Sequence, residues 1–253
     1  MNRFDDLGQW QAHRRALRTG ELGFVPTMGA LHAGHRSLVE ASVNGNERTV
    51  VSLFVNPTQF DQRADLDAYP ADLDGDLDKL RAWGVDDVLV PDYGALYPDG
   101  YRYRVAESGL SSRLCGAHRP GHFDGVLSVV MKLFNLVRPA RAYFGEKDWQ
   151  QLALVRGMVE AFFMPVDIVG CPTVREGDGL ALSSRNQRLS PAERAMAPGF
   201  HRALVQQASA DDAAQALQAA GFDVDYVEDI DGRRLGAVRL GSTRLIDNIA
   251  LES

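Results

Sequence analysis

The sequence has little cysteine, no excess of basic residues and no long apolar run, and each shortage removes a class of protein. Cys115 and Cys171 are the only thiols among 253 residues, with no CxxC pair and no Cys/His cluster around either. That excludes a disulfide-stapled secreted scaffold, and two reduced, buried thiols are expected. Lys and Arg number 27 against 34 Asp and Glu, a formal net charge of −7. A duplex nucleic-acid binder usually carries a basic stripe, so nucleic acid is not expected as a partner. No stretch approaches the roughly 18 apolar residues of a membrane span. Met1-Asn2-Arg3-Phe4-Asp5-Asp6 lacks the basic-then-apolar order of a secretory leader. The expected compartment is the cytoplasm, with no membrane partner. Two phosphate-binding signatures are missing as well, the Walker A sequence and GxGxxG.

What is present is a chain with 45% hydrophobic residues, enough for one large core or two domains of unequal size. Short β-branched runs alternate with helical stretches. Leu22–Val25 reads as a strand, and a helix follows from His35 to about Asn46. Thr49–Val55 is apolar almost without alternation, the pattern of a strand buried on both faces. A charged helix over Leu73–Trp83 ends at Gly84, and Val85–Val90 is the next strand. Asp124–Val137 is apolar nearly all round and reads as a buried helix stopped by Pro139. Arg141–Phe144 is a strand ending at Gly145, Trp149–Phe163 a helix and Val166–Val169 another strand. This alternation predicts a Rossmann-like, doubly wound α/β parallel sheet over residues 1–172. Beyond Pro172 the character changes. Thr173–Arg188, rich in Gly, Ser and charge, reads as a functional loop. Helices follow from Pro191, with Ser190 as N-cap, and over Asp211–Ala220. Two short strands, Val224–Val227 and Ala237–Leu240, complete a small C-terminal α+β domain over residues 173–253.

Three segments carry chemistry. In Phe24-Val25-Pro26-Thr27-Met28-Gly29-Ala30-Leu31-His32-Ala33-Gly34-His35 a strand ends, a glycine-bearing turn follows and a helix begins. Ligands of open α/β sheets bind at the carboxyl ends of strands, and a helix N-terminus offers unpaired N–H groups to phosphate. Gly34 lets a phosphate approach the backbone, and both imidazoles can offer an N–H to developing charge. The alternatives are core or surface histidines in an ordinary loop, or a metal shared at i and i+3. The remaining histidines, His13, His118, His122 and His201, supply no further ligand at short spacing. Gly145-Glu146-Lys147-Asp148 follows a predicted strand, and Lys147 can reach a phosphate as a point charge; a surface turn is the alternative. Leu182-Ser183-Ser184-Arg185-Asn186 places two hydroxyls and a guanidinium in a loop, a phosphate clamp or a solvated loop.

Together these segments resemble the pantothenate synthetase (pantoate–β-alanine ligase) family. Val25–His35 is similar to its ATP-binding signature. Phe54-Val55-Asn56-Pro57-Thr58-Gln59-Phe60, His122-Phe123 with Gly125-Val126, Gly145–Gln151, Arg175–Asn186 and Thr243–Ile249 resemble the family in the same order along essentially the whole chain. HxGH alone indicates the wider nucleotidyltransferase superfamily. The resemblance implies that pantoate attacks the ATP α-phosphate to give pantoyl adenylate and pyrophosphate, after which β-alanine displaces AMP to give pantothenate. It implies an ATP site of Met28, Gly29, Ala30, Leu31, His32, Ala33, Gly34, His35, Gly145, Glu146, Lys147, Asp148, Val174, Leu182, Ser183, Ser184 and Arg185. His35, His32, Lys147 and Arg185 would be catalytic, with His35 the family's proton donor. Gln59 and Gln151 would hold pantoate, with Asn56, Arg119 and His122 as further pocket residues. ATP implies Mg²⁺, and Asp76, within the acidic stretch Asp72–Asp78, resembles the family's metal-side aspartate; a solvated helix face is the alternative. The C-terminal domain would be a lid protecting the adenylate, and the family implies a homodimer. The tail between Val227 and Arg239 is more compact than the family pattern leads one to expect.

Overall fold

The computed structural model describes residues 1–17 and 21–251; Glu252 and Ser253, at the end of the expected second domain, lie outside them. The chain forms two compact units, Met1–Gly145 with Gln150–Cys171, and Glu146–Trp149 with Pro172–Ser253.

The first unit is built on six parallel strands: β1 (Asn2–Phe4), β2 (Leu22–Thr27), β3 (Arg48–Leu53), β4 (Asp87–Leu89), β5 (Arg141–Gly145) and β6 (Asp167–Cys171). Their spatial order is β1-β4-β3-β2-β5-β6. β2 pairs with β3 from Leu22↔Arg48 to Thr27↔Leu53, and with β5 at Gly23↔Arg141 and Phe24↔Ala142. The chain winds outward from β2 to β4 on one side and from β5 to β6 on the other. The direction reverses between β2 and β5, so the crevice at their carboxyl ends is the ligand position of a doubly wound sheet. Both the HxGH turn and the GEKD turn leave from those two ends.

The local reasons are visible in the sequence. Residues 49–53 of β3 are all buried, which accounts for the near-absence of polar alternation there. Of the two buried hydroxyls in β3, Thr49 Oγ1 lies 2.8 Å from Ser42 Oγ, while Ser52 Oγ is buried without a partner among the described residues. A core of Val25, Leu31, Val39, Val51, Leu80 and Val88 joins the sheet to its helices. The His122–Val137 helix is buried along most of its length, beginning two residues before the expected Asp124. It ends as Arg138 turns left-handed at φ 48° ahead of Pro139. The hydrophobic pattern predicts no element before Leu22. The structure adds β1, paired with β4, and a helix over Leu7–Ala16 capped by Asp6, whose Trp10 is fully buried.

In the second unit, helices Pro191–Met196, Pro198–Gln206 and Ala210–Ala219 accompany an antiparallel sheet of β7 (Asp223–Ile230), β8 (Arg233–Leu240) and β9 (Thr243–Ala250). Ser190 caps its helix through a reciprocal bond with Glu193. Phe200, Leu204, Leu217, Phe222 and Val238 form the core. The expectation of two short strands is corrected to three of eight residues each. The compactness noted between Val227 and Arg239 is a two-residue hairpin. Asp231 and Gly232 both have positive φ, 49° and 71°, the conformation that matches the twist of paired strands.

Candidate active site

Within the first unit the turn after β2 is held in an unusual backbone shape. Gly29 and Ala30 have φ of 81° and 51°, the left-handed region that costs a residue with a Cβ about 1–2 kcal/mol. Asp76 supports that shape. Its Oδ2 accepts from the Ala30 N–H at 2.7 Å and its Oδ1 from the Leu31 N–H at 2.8 Å. Lys79 closes the arrangement, with Nζ donating to the Leu31 carbonyl at 2.9 Å and lying 3.4 Å from Asp76 Oδ1. Asp76 is 2% exposed, so the solvated-face alternative is overturned: its neighbours in the acidic stretch face solvent and it does not.

The two histidines then cap the Ala33–Gly45 helix reciprocally. His32 Nδ1 accepts from the Gly34 N–H at 3.1 Å, and His35 Nδ1 accepts from the His32 N–H at 3.3 Å. The rings lie 4.1 Å apart, centroid to centroid. Since each Nδ1 is an acceptor, each neutral ring carries its proton on Nε2. Helix capping thereby selects the Nε2–H tautomer for both residues.

A second assembly surrounds Gln59, in the turn Pro57–Gln59. Asn56, 1% exposed, donates to Gln59 Oε1 at 3.1 Å and to the Gly125 carbonyl at 3.2 Å, while its Oδ1 accepts from the Tyr97 hydroxyl at 3.0 Å. Burial, opposed by bonds to Thr58 and Asn56, pushes the Tyr97 phenol up to about 12, so it remains a donor at neutral pH. Gln59 Nε2 reaches Met28 Sδ at 3.2 Å. His122 Nδ1 lies 2.7 Å from the Gln59 carbonyl, which can only accept. Its Nε2 therefore accepts from Arg119 at 3.1 Å. Arg119 also donates to the Gln59 carbonyl at 3.2 Å and to Asp61 at 3.0 Å. Asn56, Arg119 and His122 thus hold Gln59. Gln151 stands half-buried in the first turn of the Trp149–Ala161 helix, beside a buried Gln150 that accepts from Cys115 N–H and donates to two carbonyls.

The remaining expected residues belong to the second unit, apart from Gly145, which ends β5. Leu182 N–H donates to the Val174 carbonyl at 2.9 Å, and Glu176 N–H to the Leu180 carbonyl at 2.8 Å. The expected loop is therefore a closed turn. Ser183 caps the 3₁₀ turn Ser184–Arg188 by accepting from Arg185 N–H at 3.2 Å, and Ser184 is buried. Lys147 lies in the 3₁₀ turn Glu146–Asp148, 4.0 Å from Asp148. Both segments are tied to β9. Arg175 grips Asp247 with two bonds of 2.6 and 2.9 Å, and Asn248 donates to the carbonyls of Glu146 and Lys147 at 2.9 and 3.0 Å. Burial works to raise the Asp247 carboxyl, yet His201 and Arg175 hold it below its ordinary value.

Sequence reading assigned no role to Lys79, Tyr97, Arg233, Asp247 or Asn248. A signal existed for the last two, adjacent polar residues in an otherwise alternating segment. Among the described residues, no group of three His, Cys, Asp or Glu side chains is placed to hold a metal.

A doubly wound parallel sheet with a doubly capped HxGH turn at its switch point is the arrangement of a nucleotide-binding α/β enzyme. A profile described as Pantoate-beta-alanine ligase matches residues 1–250. A pantothenate synthetase from Bdellovibrio bacteriovorus is 56% identical over 243 residues, 96% of each chain. The crystal structure of pantothenate synthetase from Thermus thermophilus matches with a TM-score of 0.93 and 43% identity over 100% of both chains. A pantoate–β-alanine ligase from Francisella tularensis, solved with β,γ ATP and β-alanine, matches with a TM-score of 0.94 and 37% identity over 99% of this chain and 97% of that one. The chain belongs to the pantoate–β-alanine ligase family.

Proposed function

We propose that the Met28–His35 turn, Gly145–Asp148, Val174 and Leu182–Arg185 bind ATP, while Gln59 and Gln151 hold pantoate, in the ATP-dependent condensation of pantoate with β-alanine. The reaction gives pantothenate, AMP and pyrophosphate through a pantoyl adenylate, the chemistry of the family. The observation that carries the role of the histidines is their reciprocal capping. It sets the Nε2–H tautomer on both rings at the start of a helix, whose own N–H groups suit charge developing on phosphate.

The carboxylate of pantoate attacks the α-phosphorus and pyrophosphate leaves with the electron pair. His32, His35, Lys147 and Arg185 stabilise that departing charge. The amine of β-alanine then attacks the acyl carbon and AMP leaves. Gln59 suits the acid because a neutral amide bonds hydroxyl and carboxylate without adding charge. Asn56, Arg119 and His122 contribute by fixing Gln59. Residues 173–253 act as a lid against hydrolysis of the adenylate.

Mg²⁺ is part of the reading as the counterion of ATP. Asp76 is the residue that would face it: both carboxylate oxygens receive backbone N–H groups, and each keeps acceptor capacity that could meet the cation directly or through water. Asp76 also shapes the turn, and a Mg²⁺ ion bound with ATP would supply charge neutralisation for the phosphates. A cytoplasmic homodimer completes the proposal; a sedimentation mass of one protomer would exclude the dimer, and export of the protein from cells would exclude the compartment.

With ATP and pantoate the protein should release pyrophosphate, and adding β-alanine should yield AMP and pantothenate. No AMP with all three substrates present would refute the activity. His35→Ala and Lys147→Ala should each lower turnover at least about 100-fold without unfolding. Near-normal turnover in either would remove that residue from the mechanism.

A further inference from the structure

Resting on the catalytic reading of Lys147, we infer that Asn248, locked by Arg233, is a positioning residue that sets the direction of the Lys147 side chain. The Glu146 carbonyl belongs to the peptide plane before the Lys147 Cα, and the Lys147 carbonyl to the plane after it. Both carbonyls accept from the single Nδ2 of Asn248, at 2.9 and 3.0 Å. A peptide plane is rigid, so the only soft torsions that aim the Lys147 Cα–Cβ bond are φ and ψ at that residue. Binding both flanking carbonyls to one amide nitrogen fixes both torsions together.

The amide cannot turn over. Arg233 donates to Asn248 Oδ1 at 2.6 Å, and a flipped amide would set its NH₂ against the guanidinium. The same guanidinium reaches Glu146 Oε2 at 3.0 Å, so the turn is held by main chain and side chain together. Asn248 is 3% exposed, and water does not compete for these bonds. The strand behind it is stiff: Asn248 pairs with Leu235 across the sheet, its N–H donates to Asp247 Oδ1 at 2.8 Å, and its carbonyl accepts from Arg175 at 3.3 Å. A lysine on a 3₁₀ turn of three residues has little local rigidity of its own, and positioning errors near 1 Å are costly in catalysis.

The test is a double-mutant cycle read by pyrophosphate release with ATP and pantoate. Asn248→Ala should lower kcat about 10- to 100-fold, with the KM for pantoate unchanged because Gln59 is untouched. Asn248→Asp should be worse, since a carboxylate oxygen would then face two carbonyls. In a Lys147→Ala background, Asn248→Ala should change the residual rate by less than about twofold, because the residue it acts through is gone. Arg233→Gln, which keeps a donor near Asn248 but cannot also reach Glu146, serves as the second variant and should show the same non-additivity with a smaller loss. Normal kcat in Asn248→Ala, or a full additive loss in the Lys147→Ala background, would overturn the inference while leaving the catalytic role of Lys147 intact. Normal kcat in Lys147→Ala would instead refute that role, and the inference with it.

Discussion

Single residues in this molecule do their work by supplying partners to strained backbone. Asp76 is the clearest case. Removing its carboxylate leaves the N–H groups of half-buried Ala30 and buried Leu31 without this acceptor, the buried loss costing about 1–3 kcal/mol, and releases a turn that has two consecutive left-handed residues. Asp76→Ala should raise the KM for ATP about tenfold or more, with Asp76→Asn intermediate because one acceptor oxygen survives. Initial rates against ATP concentration check this, and an unchanged KM in Asp76→Ala would mean that the turn holds itself. Asn56, expected among the pocket residues, has its amide engaged by Gln59, Gly125 and Tyr97, and its proposed effect on pantoate through Gln59 rests on those bonds.

At the scale of elements, the close approach of the His122–Val137 helix to the Pro57–Gln59 turn depends on Gly125. A Cβ there would strike the backbone of Thr58 and Gln59, and backbone cannot step aside as a side-chain tip can. Gly125→Ala should destabilise the first unit by about 1–3 kcal/mol and raise the KM for pantoate while leaving that for ATP near its original value. Thermal melts and the two KM values decide it; a variant with wild-type stability and affinity would show that the turn yields freely. Elements buried by apolar side chains were legible in the sequence: β3, the His122–Val137 helix and the strand–helix alternation follow from hydrophobic pattern alone. The HxGH turn, the GEKD turn and the Gln59 segment were legible as motifs. Besides β1 and the Leu7–Ala16 helix, what escaped are segments whose burial relies on polar bonds. β9 buries Thr243, Asp247 and Asn248, so its pattern breaks where its contacts matter most. The first half of β8, ahead of the expected Ala237–Leu240, does the same with Arg234, which is 2% exposed and donates to Asp229 and to the carbonyls of Leu204, Gln207 and Ala208. No window of hydrophobicity reports a strand held this way.

For the whole molecule, each unit contains a buried aspartate whose charge depends on a cationic partner. Asp87, fully buried, is bound by Arg48 at 2.6 and 2.8 Å. Burial pushes its carboxyl up, and bonds from Arg48 and Asn2 outweigh that and hold it below the ordinary value. Asp247 is lowered in the same way. A carboxyl with a lowered folded pKa adds stability that is present above its unfolded pKa, about 3.9, and lost as pH falls through the folded value. Melting temperature should therefore be level from neutral pH down to about 5 and fall steeply below about 4. Asp247→Asn should lose stability at neutral pH and show a shallower acid decline. An acid profile identical to that of the parent would show that Asp247 does not contribute. Asp87→Ala, which strands Arg48 beside a cavity, should cost about 3–5 kcal/mol, read by urea denaturation.

The bond from Asn248 to the Lys147 turn also has a meaning in time. Residues emerge from the ribosome in order, and every residue proposed to touch ATP precedes β9 in the chain. A nascent chain that has exposed Lys147 and the Ser183–Arg185 segment still lacks the strand that aims the lysine, by about a hundred residues of synthesis in the case of Lys147. Competence for adenylate formation should thus arrive abruptly, when Thr243–Ala250 clears the exit tunnel, rather than accumulate as the nucleotide-facing residues appear. Stalled chains ending before Thr243 should be inert, and those carrying β9 on a tether long enough to span the tunnel should be active while still attached.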